Sequence, residues 1–237
     1  PQNPKTPSTV DCRRWSDCVN DARDGICIRI IKSFLTKIIR MNNLTLACTL
    51  ALSAAAAPHF NACPKDFKPM ETLDVNRYAG KWFEISKDKY TPFELASGCT
   101  FAVYTANDDG TIGVHNEGWR PIQGYKGASA LAVPASTGDA SLVVDFSGNV
   151  PDPTARPNYL VLETDYDTYS IVYSCSDFLG VASFDFLWVL ARETSLDDSK
   201  MLDIISKVEA KLPNYGWFEN QKHTYRGWFC HDEDRAE

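Results

Sequence analysis

Histidine is scarce in this chain, four among 237 residues, and from Cys63 onward only His115, His223 and His231 occur. No Gly-x-Ser-x-Gly, His-Glu-x-x-His or glycine-rich phosphate loop is present, so the common serine-hydrolase, zinc-protease and nucleotide-binding signatures are missing. No two cysteines stand at Cys-x-x-Cys spacing, which weakens redox and zinc readings. Nor is there an apolar run of membrane-spanning length. The run at residues 44–57 is about 14 residues long, short of the ~20 that a spanning helix needs. Positive charge is thin as well: 24 Lys and Arg stand against 31 Asp and Glu. The deficit is uneven, with 8 basic against 4 acidic residues in 1–62 and 16 against 27 from Cys63 on. An acidic surface of that kind disfavours sequence-independent binding to nucleic acid or anionic membranes.

The basic part reads as a leader rather than as fold. From Met41, Asn42 and Asn43 precede the apolar run, and Ala54 and Ala56 offer a small-residue cut after Ala56. This is the layout of a secretory signal region, at 41–62. Residues 1–40 have two readings. One is a non-native extension upstream of Met41; the other is a targeting segment, since Arg29, Lys32, Lys37 and Arg40 interleave with Ile, Phe and Leu as on a basic amphipathic helix. The destination is secreted or extracellular, with an endomembrane or plastid lumen as the alternative.

The remainder, 63–237, reads as one domain. Its four cysteines, Cys63, Cys99, Cys175 and Cys230, suggest two disulfides with three connectivities open. Short apolar-rich segments at 81–89, 100–106, 111–118, 123–133, 142–146, 159–163, 169–175 and 183–191 alternate with turn residues. Asp109-Gly110 is the clearest hairpin signal among them. A meander of this kind points to a barrel or sandwich. The period then becomes helical through Leu196, Met201, Leu202, Ile204, Ile205, Val208 and Leu212, with Ser195 as the expected N-cap and Pro213 as the stop. The tail from Tyr215 to Cys230 can add one short strand.

The stretch Asn76-Arg77-Tyr78-Ala79-Gly80-Lys81-Trp82-Phe83-Glu84-Ile85 resembles the first motif of the lipocalins, in the form seen in the apolipoprotein D and bilin-binding branch. Thr164-Asp165-Tyr166 resembles the second motif, and Leu187-Trp188-Val189-Leu190-Ala191-Arg192 the third. The resemblance implies an all-β fold: an eight-stranded antiparallel up-and-down barrel with one C-terminal α-helix packed outside. It implies Arg192 across the indole of Trp82 at a closed end, with Gly80 opening the first strand. It also implies the pairings Cys63–Cys175 and Cys99–Cys230.

A barrel of eight strands has room for one small ligand. Resemblance and strand parity together nominate its lining: Phe101 and Val103, Val114 and Asn116, Ile171 and Tyr173, and Phe184, Phe186 and Trp188. Glu84 and Ser86 share the face of Trp82 on the same reading, Glu84 as a structural hydrogen-bonding group. The function implied is a secreted carrier of a small hydrophobic ligand: a fatty acid, retinoid or carotenoid, steroid or bilin. No cofactor is required, a bound lipid or pigment being the cargo, and no metal or catalytic residue is nominated. The alternative is a lipocalin-fold enzyme, an isomerase or de-epoxidase, acting on a lipophilic substrate. Neither nucleic acid nor stable membrane insertion is expected; a cell-surface receptor or a second copy of the chain are the protein partners such a carrier could have.

Overall fold

The computed structural model describes residues 63, 68–91, 94, 96–178, 182–231 and 235. The leader and signal readings fall on residues 1–62, outside the described residues. A one-turn helix α1 (Val75–Tyr78) leads into β1 (Gly80–Asp88). Then follow β2 (Gly98–Ala106), β3 (Ile112–Arg120), β4 (Gly124–Pro134) and β5 (Ser141–Asp145). β6 (Tyr159–Thr164), β7 (Tyr169–Phe178) and β8 (Ala182–Ala191) complete the set. From β2 to β8 each strand pairs antiparallel with its sequence neighbour, and β1 pairs with both β8 and β2. The eight strands therefore form a closed antiparallel barrel, which leaves no free edge around the ring.

β1 carries an irregularity that redirects its side chains. Glu84 pairs with Leu190 and Ser86 with Val189, so Ile85 is an extra residue in the ladder. A bulge of this kind reverses the alternation beyond it. Ser86 therefore leaves the face of Trp82 and lies opposite Val189, whose side chain packs outside the barrel. Lys87, opposite Trp188, turns inward in its place.

Helix α2 (Asp198–Lys211) lays Ile204 and Val208 against the outer faces of β6, β7 and β8, beside Leu162, Ile171, Tyr173, Leu187 and Val189. Its N-cap is Asp197 rather than Ser195. The Asp197 carboxylate accepts from the Lys200 backbone N–H at 2.8 Å, two residues further on than the sequence pattern places the start. Pro213 lies just past its end, where a ring without an N–H cannot extend the ladder.

The chain then makes a second one-turn helix, α3 (Trp217–Asn220), and a short strand, β9 (Gln221–His223). β1 contacts β2 only over Gly80 to Phe83, and β9 takes the same edge of β1 from Ser86 to Asp88. Beyond it Tyr225 bridges to Gly98, and its carbonyl accepts from Cys99 N–H at 2.8 Å. A side chain at Gly98 would meet the Tyr225 carbonyl at 2.5 Å, so this approach requires glycine. The tail thus fills the gap where β1 and β2 part, and the Cys99–Cys230 disulfide ties it there. The second disulfide joins Cys63 to Cys175 on the outer face of β7.

Candidate functional site: the barrel chamber

Trp82 closes one end of the barrel. It is wholly buried, and its indole N–H donates to the Tyr78 carbonyl at 2.8 Å. The Arg192 guanidinium lies 3.8 Å from the ring centroid and donates to the Tyr166, Lys81, Arg77 and Ala79 carbonyls at 2.8–3.0 Å. Gly80 adopts φ +95°, and a Cβ there would stand 3.2 Å from the guanidinium. The β6–β7 turn supplies the remaining support. Asp165 Oδ1 accepts the backbone N–H groups of Asp167, Thr168 and Tyr169 at 2.7–3.2 Å, while the Thr164 hydroxyl accepts from Tyr166 N–H at 2.9 Å. That arrangement points the Tyr166 carbonyl at Arg192.

Tyr104 and Tyr159 line the chamber floor, and Tyr78, packed near Trp82, joins them through hydrogen bonds. The Tyr159 hydroxyl is 2.8 Å from those of both Tyr78 and Tyr104, and Tyr78 reaches Ser170 Oγ at 2.9 Å. Burial pushes the Tyr78 phenol up to about 12, and raises Tyr104 and Tyr159 also, so all three stay neutral donors and acceptors.

Over this floor lies a cavity of about 300 Å³, at the lower end of the range typical of small-molecule sites. Ala102, Val114, Val144, Val172 and Leu190 give it apolar walls, with Phe186 and Trp188 on β8. Glu84, Glu94, Thr100 and Asn116 supply polar atoms. A second space of about 550 Å³ shares Glu94, Thr100, Asn116 and Phe146 with the first and extends outward past Gly118, Arg120 and Lys126.

The bulge in β1 places a charged cluster at the junction of the two spaces. The Lys87 ammonium, fully buried, sits 2.9 Å from Glu84 Oε1, 3.1 Å from Glu94 Oε2 and 2.9 Å from Ser97 Oγ. Glu84 also accepts from the Thr224 hydroxyl, which the tail delivers through the gap between β1 and β2. Burial pulls the Lys87 pKa down, but the two carboxylates outweigh it and hold it above the ordinary lysine value. Burial, reinforced by the Glu84 carboxylate and opposed by Lys87, raises that of Glu94.

Of the nominated lining residues, Phe101, Val114, Asn116, Phe186 and Trp188 border the chamber. Val103, Ile171, Tyr173 and Phe184 do not. Ile171 and Tyr173 pack outward in the cluster under α2. On β7 it is Val172, Ser174 and Ser176 that face in, and on β2 it is Thr100, Ala102 and Tyr104. Phe101 borders the chamber from between these positions, while its ring packs beneath Lys81 Nζ at 4.7 Å, on the face of the sheet opposite Trp82. β7 alternates clearly, but its apolar face, Tyr169, Ile171, Tyr173 and Cys175, is the outer one packed under α2, while Ser174 and Ser176 line the chamber. Where a helix covers the outside of a strand, the more apolar set is no guide to the inward face. Lys87 and Glu94 escape sequence reasoning altogether. One turns inward through a bulge that no residue type announces, and the other comes from the β1–β2 connection.

A closed antiparallel barrel holding one blind chamber, sealed by an indole beneath a guanidinium, defines the class. A lipocalin-like domain profile matches residues 73–221, and the chain belongs to the lipocalin family. It is 31% identical to apolipoprotein D of Rattus norvegicus, across 72% of this chain and 95% of that protein. With apolipoprotein D of Cavia porcellus it shares 34% identity, across 64% of this chain and 77% of the relative. Among solved structures, insecticyanin from the tobacco hornworm Manduca sexta superposes with a TM-score of 0.62 at 20% identity, covering 73% of this chain and 90% of that one.

Proposed function

We propose that this protein is a secreted carrier that binds a small hydrophobic ligand in the barrel chamber and releases it chemically unchanged. The observation that carries the reading is the chamber itself: an apolar-walled space of about 300 Å³ above a hydrogen-bonded tyrosine floor. A ligand burying ~300 Å² of apolar surface there gains roughly 7 kcal/mol by transfer from water, before the cost of association. Micromolar binding follows without any covalent step. Two disulfides fit an oxidising compartment, and the apolar run at 44–57 supplies the export signal on the same reading. Among the described residues no helix is long and apolar enough to cross a membrane.

Trp188 borders the chamber, so the test is optical. Titration with retinol, an apolar polyene, is expected to quench tryptophan fluorescence with micromolar affinity, and Trp188→Ala to weaken both the quenching and the binding. Retinol should be recovered intact by chromatography of an organic extract. Absence of saturable quenching, or recovery of an altered product, would overturn the reading.

A further inference from the structure

We propose that the ligand of this chamber presents a hydrogen-bond donor, a hydroxyl or an ammonium, to Glu94 and Asn116, and does not present a carboxylate. The inference rests on the carrier reading above and narrows it to one class of cargo.

Lysine and arginine are absent from the described residues that line the inner chamber, whereas two carboxylates, Glu84 and Glu94, are present. The one ammonium at hand, that of Lys87, has three N–H donors. Three oxygens lie within 3.1 Å of it, on Glu84, Glu94 and Ser97. An incoming carboxylate would find that ammonium already saturated and would add a third acidic group to the pair that shares it. Like charges brought together in a desolvated site are strongly disfavoured.

The neutral polar atoms point the same way. Asn116 and Thr100 border the chamber, and the Asn116 Oδ1 and the Thr100 hydroxyl oxygen are buried with no hydrogen-bond partner. Asn116 Oδ1 can only accept, so what satisfies it is a donor. Thr100 and Asn116 border the inner chamber together with Glu94, which borders the outer space as well. These residues form a belt of acceptors where the head of a ligand seated tail-down on the tyrosine floor would lie. One ammonium, that of Lys87, is shared between the Glu84 and Glu94 carboxyl groups at 2.9 and 3.1 Å. Burial with the Glu84 carboxylate raises the Glu94 pKa, so a cationic ligand head there supplies the missing counter-charge.

Arg120 and Lys126 stand further out, bordering only the outer space. An acid held there would keep its carboxylate in water, where an ion pair contributes little.

Three matched ligands decide the matter: decylamine, decanol and decanoate, titrated calorimetrically into the oxidised protein near neutral pH. The expected order is decylamine and decanol ahead of decanoate by about tenfold or more, the factor that one lost buried hydrogen bond represents. Glu94→Gln should weaken decylamine selectively and narrow the gap to decanoate, with thermal unfolding checking that the variant still folds. The ranking on the unaltered protein is decisive without the variant. Decanoate binding as tightly as decanol, at whichever end its head lies, would overturn the inference and leave the carrier reading standing. Failure of all three to bind, in a protein that also fails to bind retinol, would remove both.

Discussion

Arg192 donates toward five main-chain carbonyls, those of Arg77, Tyr78, Ala79, Lys81 and Tyr166, and at the same time covers Trp82. A planar guanidinium can spread its N–H groups in a fork while its face lies on an indole, and an ammonium cannot. Arg192→Lys keeps the charge but loses the fork, and should lower stability by about 2–3 kcal/mol, the scale of a desolvated cation–π contact plus charged hydrogen bonds. Urea unfolding measures this; a loss under half a kcal/mol would mean that the orphaned carbonyls find other partners. Trp82 and Arg192 were legible because each is part of a contiguous motif. Lys87 and Glu94 were not, although they shape the chamber's chemistry as much as any aromatic. A lysine two residues before the end of a predicted strand is ordinarily a solvated side chain. Only the extra residue at Ile85 turns this one inward, and a bulge leaves no mark in residue type when it falls on Ile.

At the scale of elements, hydrophobic periodicity identified the eight strands and the helix, and element ends shifted by a few residues. Helix α2 begins after Asp197 because the aspartate side chain reaches the free Lys200 N–H, leaving Ser195 outside the first turn. Parity within strands was less legible, and the helix is the reason. By covering β7 and β8 from outside, α2 makes Ile171 and Tyr173 as buried as Val172. The helix and the chamber therefore lie on opposite faces of the same strands, and mutations should separate them. Ile204, wholly buried on α2, becomes a cavity as Ile204→Ala, which should cost about 2–4 kcal/mol. Ligand affinity per folded molecule should stay within about twofold, because no atom of Ile204 borders the chamber. Thermal melts paired with retinol titration test this, and a matched fall in affinity would show that the sheet transmits the defect.

The closed barrel of the whole molecule was implied by motif order. How the ring is completed was not, since pairing between the first strand and a distant tail has no local signature. β1 and β2 pair over four residues and then part; β9, Thr224 and Tyr225 occupy the opening. Phe229 stacks on Trp119 at 4.1 Å between centroids, and Cys230 bonds to Cys99 across 131 residues of chain. In the chain-entropy model each disulfide of this span contributes roughly 4–5 kcal/mol, but the two should differ in function. Cys63–Cys175 anchors the entry segment to the outer face of β7. Cys99–Cys230 holds the tail that hands Thr224 to Glu84. Replacing both cysteines by serine in either pair should lower the unfolding midpoint. Only the Cys99→Ser/Cys230→Ser protein should also bind ligand more weakly, because releasing the tail unseats Thr224 and loosens the carboxylate cluster at the chamber's belt. Equal loss of affinity in both double variants would mean that the tail contributes rigidity alone, with no particular hold on the site.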